Sequence, residues 1–383
     1  MTLLGGRAAD PNLGEPTVPE QTDPIRVMIV DDSAVIRGLF TRVLESDRDI
    51  RVVASVGDGA LALKAIERTD VDIVLLDIEM PNMDGLAALP RLIQAKPDLC
   101  VIMASSLTER NAEISLRALR MGATDYVTKP SSREAMRDAD EFKRDLVAKV
   151  RALGRRHADA AGASRLRPVA AGGRPVAPVH SKEREVQLRP AGNAKPEVLA
   201  IGSSTGGPQA LSECLRTITK SISLPILITQ HMPPTFTSIL AAHIAQATGW
   251  PCAEARNGDV VERGHIYVAP GGYHMLVETQ GTRKVLRLSD APPEHFCRPA
   301  VDPMLRSIAK AYGPSALVII LTGMGYDGRA GGEEIIRQGG TIVAQDKATS
   351  VVWGMPGAVA TRGLCSAVLP LKELGPHVSK LAA

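Results

Sequence analysis

Between residues 25 and 153 the chain repeats one pattern five times: a short apolar segment rich in β-branched residues, then a segment with apolar residues at helical spacing. The strand-length runs stand at 25–30, 51–54, 73–76, 101–104 and 125–127. The helical runs stand at 34–44, 60–67, 86–94, 112–121 and within 132–153. Consecutive strands separated by a helix pair in parallel, so the pattern predicts a parallel sheet covered on both faces, an α/β fold. Right-handed crossovers make it doubly wound, with ligands bound beyond the carboxyl ends of the strands. A second alternation follows. It has strands at the start of 198–211 and at 225–230, 316–321, 341–344 and 366–369. Helices are expected at 209–216, 238–247, 303–311, 333–337 and 356–361, and short strands with turns across 253–290. This predicts a second, mainly parallel doubly wound domain.

A chain of 383 residues is too long for one ordinary core. The patterns divide it into a Pro-, Gly- and Asp-rich segment at 1–24, expected to be disordered, a first domain at 25–154, a linker at 155–195 and a second domain at 196–383. The linker has Pro, Gly, Ala and Arg without periodicity and reads as a flexible tether. It carries 9 Lys and Arg against 3 Asp and Glu, whereas residues 1–154 carry 20 against 25 and residues 196–383 carry 16 against 14. Neither flank is therefore built to grip nucleic acid, and 3% aromatic content leaves little for base stacking. The five cysteines are scattered without CxxC spacing, which argues against a disulfide framework and a zinc site. No apolar run approaches the length of a membrane span, so no direct membrane insertion and a cytoplasmic location are expected.

Acidic residues mark the strand ends of the first domain. Asp31 and Asp32 follow its first strand and Asp77 ends its third, and in a 2-1-3-4-5 sheet those strands are neighbours at the switch point. Three converging carboxylates repel unless a hard cation joins them, and oxygen donors with open positions suit Mg²⁺. Ser105 and Lys129 follow the fourth and fifth strands at the same edge. Each of these alone reads as readily as a helix cap or a surface side chain; together, on one edge, they point to a site. The stretches IRVMIVDDSAVIR, LLDIEMPNMDGL, VIMASS and DYVTKP resemble a two-component receiver domain, which is flavodoxin-like. The resemblance implies that Asp77 accepts a phosphoryl group from a histidine kinase. It also implies that Asp31, Asp32 and Asp77 hold Mg²⁺ with the Glu79 carbonyl, that Ser105 and Tyr126 form a switch pair, and that Lys129 pairs with the acyl phosphate.

In the second domain, VLAIGSSTGGPQAL runs from a strand through a glycine turn into a helix opened by Pro208. Such a turn aims free N–H groups at its contents. It serves a serine nucleophile, an anion site or a plain helix cap, and the stretch alone does not choose among them. Ser204, His231 and Asp327 fall at three separate strand ends, which the sheet-edge rule gathers in one crevice. A hydroxyl, an imidazole and a carboxylate are the three types that activate a serine. The order differs from that of α/β-hydrolases and no GxSxG is present. A dinucleotide site is disfavoured because Gln230-His231 stands where a ribose-binding acid belongs, and no GxxxxGK occurs. Backbone amides at Gly206, Gly207, Gly323, Gly325 and Gly328 are oxyanion candidates. His243, His265, His274 and His295 read as structural or exposed.

IGSSTGGPQAL, ITQHMPPTFT, HIYVAPGGYHM, CRPAVDPM and ILTGMGYDG resemble the catalytic domain of the chemotaxis receptor methylesterases, the CheB family. The resemblance implies Ser204 as nucleophile, His231 as base and Asp327 as orienting acid, with Thr205, Gly206 and the Met324 backbone near the oxyanion. It implies hydrolysis of glutamyl methyl esters on methyl-accepting chemotaxis receptors with release of methanol, deamidation of receptor glutamines, and activation by phosphorylation of the receiver. Mg²⁺ would serve the receiver alone, and hydrolysis would need no cofactor. Cys297 stands where some relatives have histidine and receives no role. An unperturbed His231 predicts a rate that fades as pH falls through ~6.5. A response regulator whose second domain only binds a partner is the alternative reading. A DNA-binding output is disfavoured by the near-neutral second domain and the lack of a helix-turn-helix signal.

Overall fold

A computed structural model describes residues 23–130, 139–165 and 186–383. Apart from residues 23 and 24, the N-terminal segment expected to be disordered lies outside the described residues, as does the middle of the expected tether. The first domain runs β1 Ile25–Val30, α1 Ala34–Leu44, β2 Ile50–Val56, α2 Gly59–Ile66 and β3 Ile73–Asp77. It continues with α3 Gly85–Ala95, β4 Cys100–Ser105, α4 Glu109–Arg120, β5 Asp125–Thr128 and α5 Ala139–Arg165. The sheet order is β2-β1-β3-β4-β5 with every pairing parallel. β3 is buried along its whole length, as a central strand covered by helices on both faces must be. Ser33, Asp58, Asp84 and Thr108 each accept a first-turn N–H and so start α1 to α4. Capping α1 thus falls to Ser33, and the Asp31 and Asp32 carboxylates remain for the strand edge.

The closing helix is longer than the sequence pattern predicts. Leu146, Val150 and Leu153 bury the inner face of α5, and the helix continues through Arg165 into the stretch whose composition marks it as tether. Its Ala- and Arg-rich composition suits a helix as well as a coil. The far end of that stretch is also held. The Arg189 N–H donates to Cys365 O at 3.0 Å and the Gly192 N–H to Thr341 Oγ1 at 2.8 Å, while Val186 packs on the second core.

The second domain opens with β6 Val198–Ser203, α6 Gly207–Ile218, β7 Ile226–Gln230, α7 Phe236–Thr248, β8 Cys252–Glu254 and β9 Ile266–Val268. A hairpin follows, β10 His274–Gln280 with β11 Arg283–Ser289, and then α8 Val301–Tyr312 and β12 Ala316–Ile320. The chain ends with α9 Arg329–Arg337, β13 Thr341–Gln345, α10 Met355–Ala360, β14 Ala367–Leu369 and α11 Leu371–Ala382. The main sheet is parallel throughout in the order β14-β13-β12-β6-β7-β9-β8. α6, α7 and α11 bury one face and α8, α9 and α10 the other. β6 lies between β12 and β7, so the loops leaving these three strands meet at the switch point of the sheet.

The first domain lies on that edge. Gln209 of α6 donates to Leu119 O at 3.3 Å and Ala123 O at 3.1 Å, at the end of α4. Tyr126 of β5 stacks on Phe236 of α7 with ring centroids 4.6 Å apart. Arg144 of α5 lies 3.8 Å from the centre of the Phe296 ring.

Candidate active site

Ser204, Thr205 and Gly206 form the turn between β6 and α6. Gly206 has φ +75°, and a Cβ there would collide with Val351, so this position requires glycine. The three hydroxyls of the turn region go different ways. Ser203 is fully buried and donates to Gln230 Oε1 at 2.7 Å. Thr205 donates across the domain interface to Asp125 Oδ2 at 2.9 Å. Among the described residues the Ser204 hydroxyl has no hydrogen-bond partner. Its backbone is fixed on both sides: the Ser204 N–H donates to Thr322 O at 3.0 Å, and Gln230 Nε2 donates to Ser204 O at 3.0 Å. The loop after β12 closes on it so tightly that a Cβ on Gly323 would strike the Ser204 Cβ. Among the described residues, nothing accepts from the amides of Thr205, Gly206 or Met324, which leaves them available to an oxyanion.

His231 continues β7, its N–H donating to Ser203 O at 3.2 Å. Its Nε2 stands 2.7 Å from Asp327 Oδ2. Asp327 is buried, and its carboxylate accepts N–H bonds from Val301 at 2.6 Å, Asp302 at 2.9 Å and Gly328 at 2.8 Å. Two of those amides begin α8, which has no side-chain cap of its own. Asp327 therefore caps a helix with its charge at the positive end of the dipole. Burial alone would raise its pKa; His231 and the amides outweigh burial and hold the carboxyl below the usual range. Burial likewise disfavours imidazolium at His231, but the neighbouring Cys297 and the Asp327 carboxylate prevail and raise its pKa above the ordinary value. The structure thus brings Ser204, His231 and Asp327 to adjacent strand ends and forms the imidazole–carboxylate bond.

At the strand edge of the first domain, Lys129 Nζ lies 2.7 Å from both Asp31 Oδ2 and Asp77 Oδ1. Carboxylate oxygens of Asp31, Asp32 and Asp77 all fall within 4.8 Å of one another. Asp31 Oδ2 is buried and, its ion pair aside, accepts no hydrogen bond. Three hard oxygen donors converging on one point, one of them on an exposed residue, fit a hydrated Mg²⁺. Burial pushes the Asp77 carboxyl up against the pull of Lys129, while the two carboxylates outweigh burial and raise Lys129. Glu79 is exposed and its side chain is not part of the carboxylate cluster. Ser105 is buried and donates to Ser106 O at 3.1 Å and Asn111 O at 3.3 Å. Tyr126 is turned inward, against Phe236.

Sequence reasoning missed Gln230, which fastens both serines of the turn, and the roles of Asp125, Gln209 and Phe236 between the domains. Only the pairing of the two domains reveals them. It left Cys297 without a part and set His295 aside, whereas His295 pairs with Asp302 directly behind Asp327.

A family model described as CheB methylesterase matches residues 199–378, and one described as response regulator receiver domain matches residues 27–140. A protein-glutamate methylesterase/protein-glutamine glutaminase of Paramagnetospirillum magneticum is 56% identical, over 94% of this chain and 97% of the relative. The chain belongs to the CheB methylesterase family. Similarly named family members from Rhodospirillum rubrum and Azospirillum brasilense are 52% and 54% identical, over 100% and 97% of this chain and 99% and 96% of their own lengths. Among the described residues no helix is long and apolar enough to cross a membrane.

Proposed function

We propose that this chain is a phosphorylation-activated serine hydrolase acting on receptor side chains. It demethylates glutamyl methyl esters on methyl-accepting chemotaxis receptors, releasing methanol, and deamidates receptor glutamines to glutamate. The observation that carries the reading is the His231–Asp327 pair at 2.7 Å beside Ser204, at the ends of adjacent strands. His231 takes the Ser204 proton, the hydroxyl oxygen attacks the side-chain carbonyl, and the oxyanion meets the amides of Thr205, Gly206 and Met324. His231 returns the proton to the methoxy oxygen or the amide nitrogen, which departs as methanol or ammonia, and water resolves the acyl enzyme by the reverse path. The orienting acid stays ionised throughout, in keeping with its low pKa.

The regulatory half rests on contacts. The receiver holds Thr205, the neighbour of the nucleophile, through Asp125, and covers the cleft rim with Arg144 and Tyr126. A receptor helix has no access while these contacts persist. Asp77 receives a phosphoryl group from a chemotaxis histidine kinase. Asp31, Asp32, Asp77 and the Glu79 carbonyl would hold Mg²⁺, which offsets phosphoryl charge when bound. Lys129 then leaves its two carboxylates for the phosphoryl oxygens, Ser105 and Tyr126 rearrange, and the balance moves from covered to open. The test is methanol release from methylated receptor by the full chain with a phosphodonor. Ser204→Ala is expected to abolish it with the fold intact, and retained activity in that variant overturns the reading.

A further inference from the structure

A second histidine–carboxylate pair stands against the first. His295 Nε2 lies 2.8 Å from Asp302 Oδ2 and 3.9 Å from Asp327 Oδ1. Asp302 is fully buried; its Oδ1 accepts the Gly331 N–H at 2.7 Å and its own N–H donates to Asp327 Oδ1 at 2.9 Å. The two carboxylates are thus joined through backbone, each with one histidine on its outer side. His295 sits at the tip of a tight turn in which Glu294 and Cys297 exchange backbone hydrogen bonds at 3.1 and 2.8 Å. There His295 has φ +53° and Phe296 φ +63°, a region costly for residues other than glycine. Such strain persists where other contacts over-determine it. His295 pairs with Asp302, approaches Asp327 and meets the ring of Tyr326 edge-on at 4.7 Å.

The charges around the pair explain what it is for. His295 faces Asp302 from α8 and Asp327 and Tyr326 from the loop before α9, with Glu294 and Cys297 on its own turn. Glu294 is engaged by Arg306 through both oxygens, and its carboxylate lies within 4.8 Å of the His295 and Asp302 side chains, so this ion pair also borders the site. Asp302 and Asp327 are two buried acids side by side. Burial and the charge of Asp327 push Asp302 toward its protonated form, and the Gly331 N–H and His295 oppose this. A proton settling on Asp302 would lie beside the carboxylate on which His231 depends.

We propose that His295 is a positioning residue for the hydrolysis: through Asp302 it keeps Asp327 an oriented anion against His231. The proposal rests on the assignment of Ser204, His231 and Asp327 made above and extends it. The test uses the full chain with phosphodonor and Mg²⁺ on a small soluble ester, comparing wild type, His295→Ala, His295→Gln, Asp302→Asn and the double variant His295→Ala/Asp302→Asn. His295→Ala is expected to lower kcat by roughly tenfold to a hundredfold with KM unchanged, as for a misaligned catalytic group. His295→Gln, which still donates to Asp302, recovers most of the rate. The double variant is no slower than Asp302→Asn alone, because the two act along one path. A kcat for His295→Ala within about twofold of wild type, a loss confined to KM, or additive losses in the double variant overturns the proposal. Activity surviving Ser204→Ala overturns the underlying assignment instead, so the two failures are distinguishable.

Discussion

Gln209→Ala is the cleanest way to loosen the receiver without touching the catalytic groups. Gln209 gives both hydrogens of its amide nitrogen to the end of α4, at Leu119 O and Ala123 O. Two neutral hydrogen bonds are together worth about 1–3 kcal/mol net. The low end applies here for two reasons. Leu119 O keeps the Gly122 N–H at 3.2 Å, and Gln209 Oε1 is buried in the covered form without a partner, so its removal returns part of the loss. A net weakening of about 1 kcal/mol multiplies the open fraction roughly fivefold while the covered form predominates. In the open form Gln209 is solvated, and Ala favours the helix, so catalysis itself is unaffected. The assay is hydrolysis of a small soluble ester by unphosphorylated full chain, where recruitment to receptors plays no part. A fragment beginning before Val186 sets the fully open limit, since residues 186–192 dock on the catalytic domain. A variant no faster than wild type without phosphodonor, together with an unchanged phosphodonor response, refutes the occlusion argument.

Asp77→Asn is expected to erase the phosphodonor response and leave the basal rate on a soluble ester in place; a retained response dismisses Asp77 as acceptor. Ser203→Ala removes a hydroxyl given wholly to Gln230, so it costs stability on the order of 1–3 kcal/mol in a thermal melt but keeps turnover. A dead Ser203 variant beside a live Ser204 variant reverses the assignment of the nucleophile. The pH profile follows from His231. Its pKa is raised, so neutral base is lost as pH falls through a value above ~6.5 rather than at it. Cys297 opposes the effect of burial there, so Cys297→Ala is expected to move the acid limb of kcat/KM to lower pH, and an unmoved limb removes Cys297 from the site.

Much of the fold was legible because period and strand ends carry it. The run of β1, β3 and β4 is apolar enough to require burial on both faces, and Asp31, Asp77, Ser204 and His231 each directly follow or end a strand. What was not legible depended on distance between parts of the chain. The helix expected at 333–337 begins after Gly331 and Gly332, yet both lie inside α9, where a Cβ on Gly331 would strike Asp302 and Leu305 of α8. Gly331 lets the two helices approach. α11 escaped notice because Gly375 and Pro376 interrupt it, and Gly375 packs on Thr217 of α6. His295 looked like an exposed turn residue because its partner Asp302 lies on a different element and its backbone conformation leaves no mark in the sequence.

The interface explains how one phosphoryl group governs the cleft. Carrying a balance from about 1:99 to 99:1 takes about 5.5 kcal/mol. The individual contacts are each smaller: the Thr205–Asp125 hydrogen bond, the Gln209 pair, the Tyr126–Phe236 stack and the Arg144–Phe296 contact are worth about 0.5–3 kcal/mol apiece. No single loss suffices, so the contacts must be released together. The chain arranges this by placing Asp125, Tyr126 and Lys129 on one short segment at the end of the receiver sheet. Lys129 holds that segment to Asp31 and Asp77 by its ammonium, and its N–H holds it to Ser105 O at 2.7 Å. On the reading proposed above, a phosphoryl group on Asp77 would compete for the ammonium and for the Ser105 hydroxyl at once. The segment expected to shift in response is the one that grips Thr205 and Phe236, so charge placed at the receiver's edge would loosen several contacts beside Ser204 in a single movement.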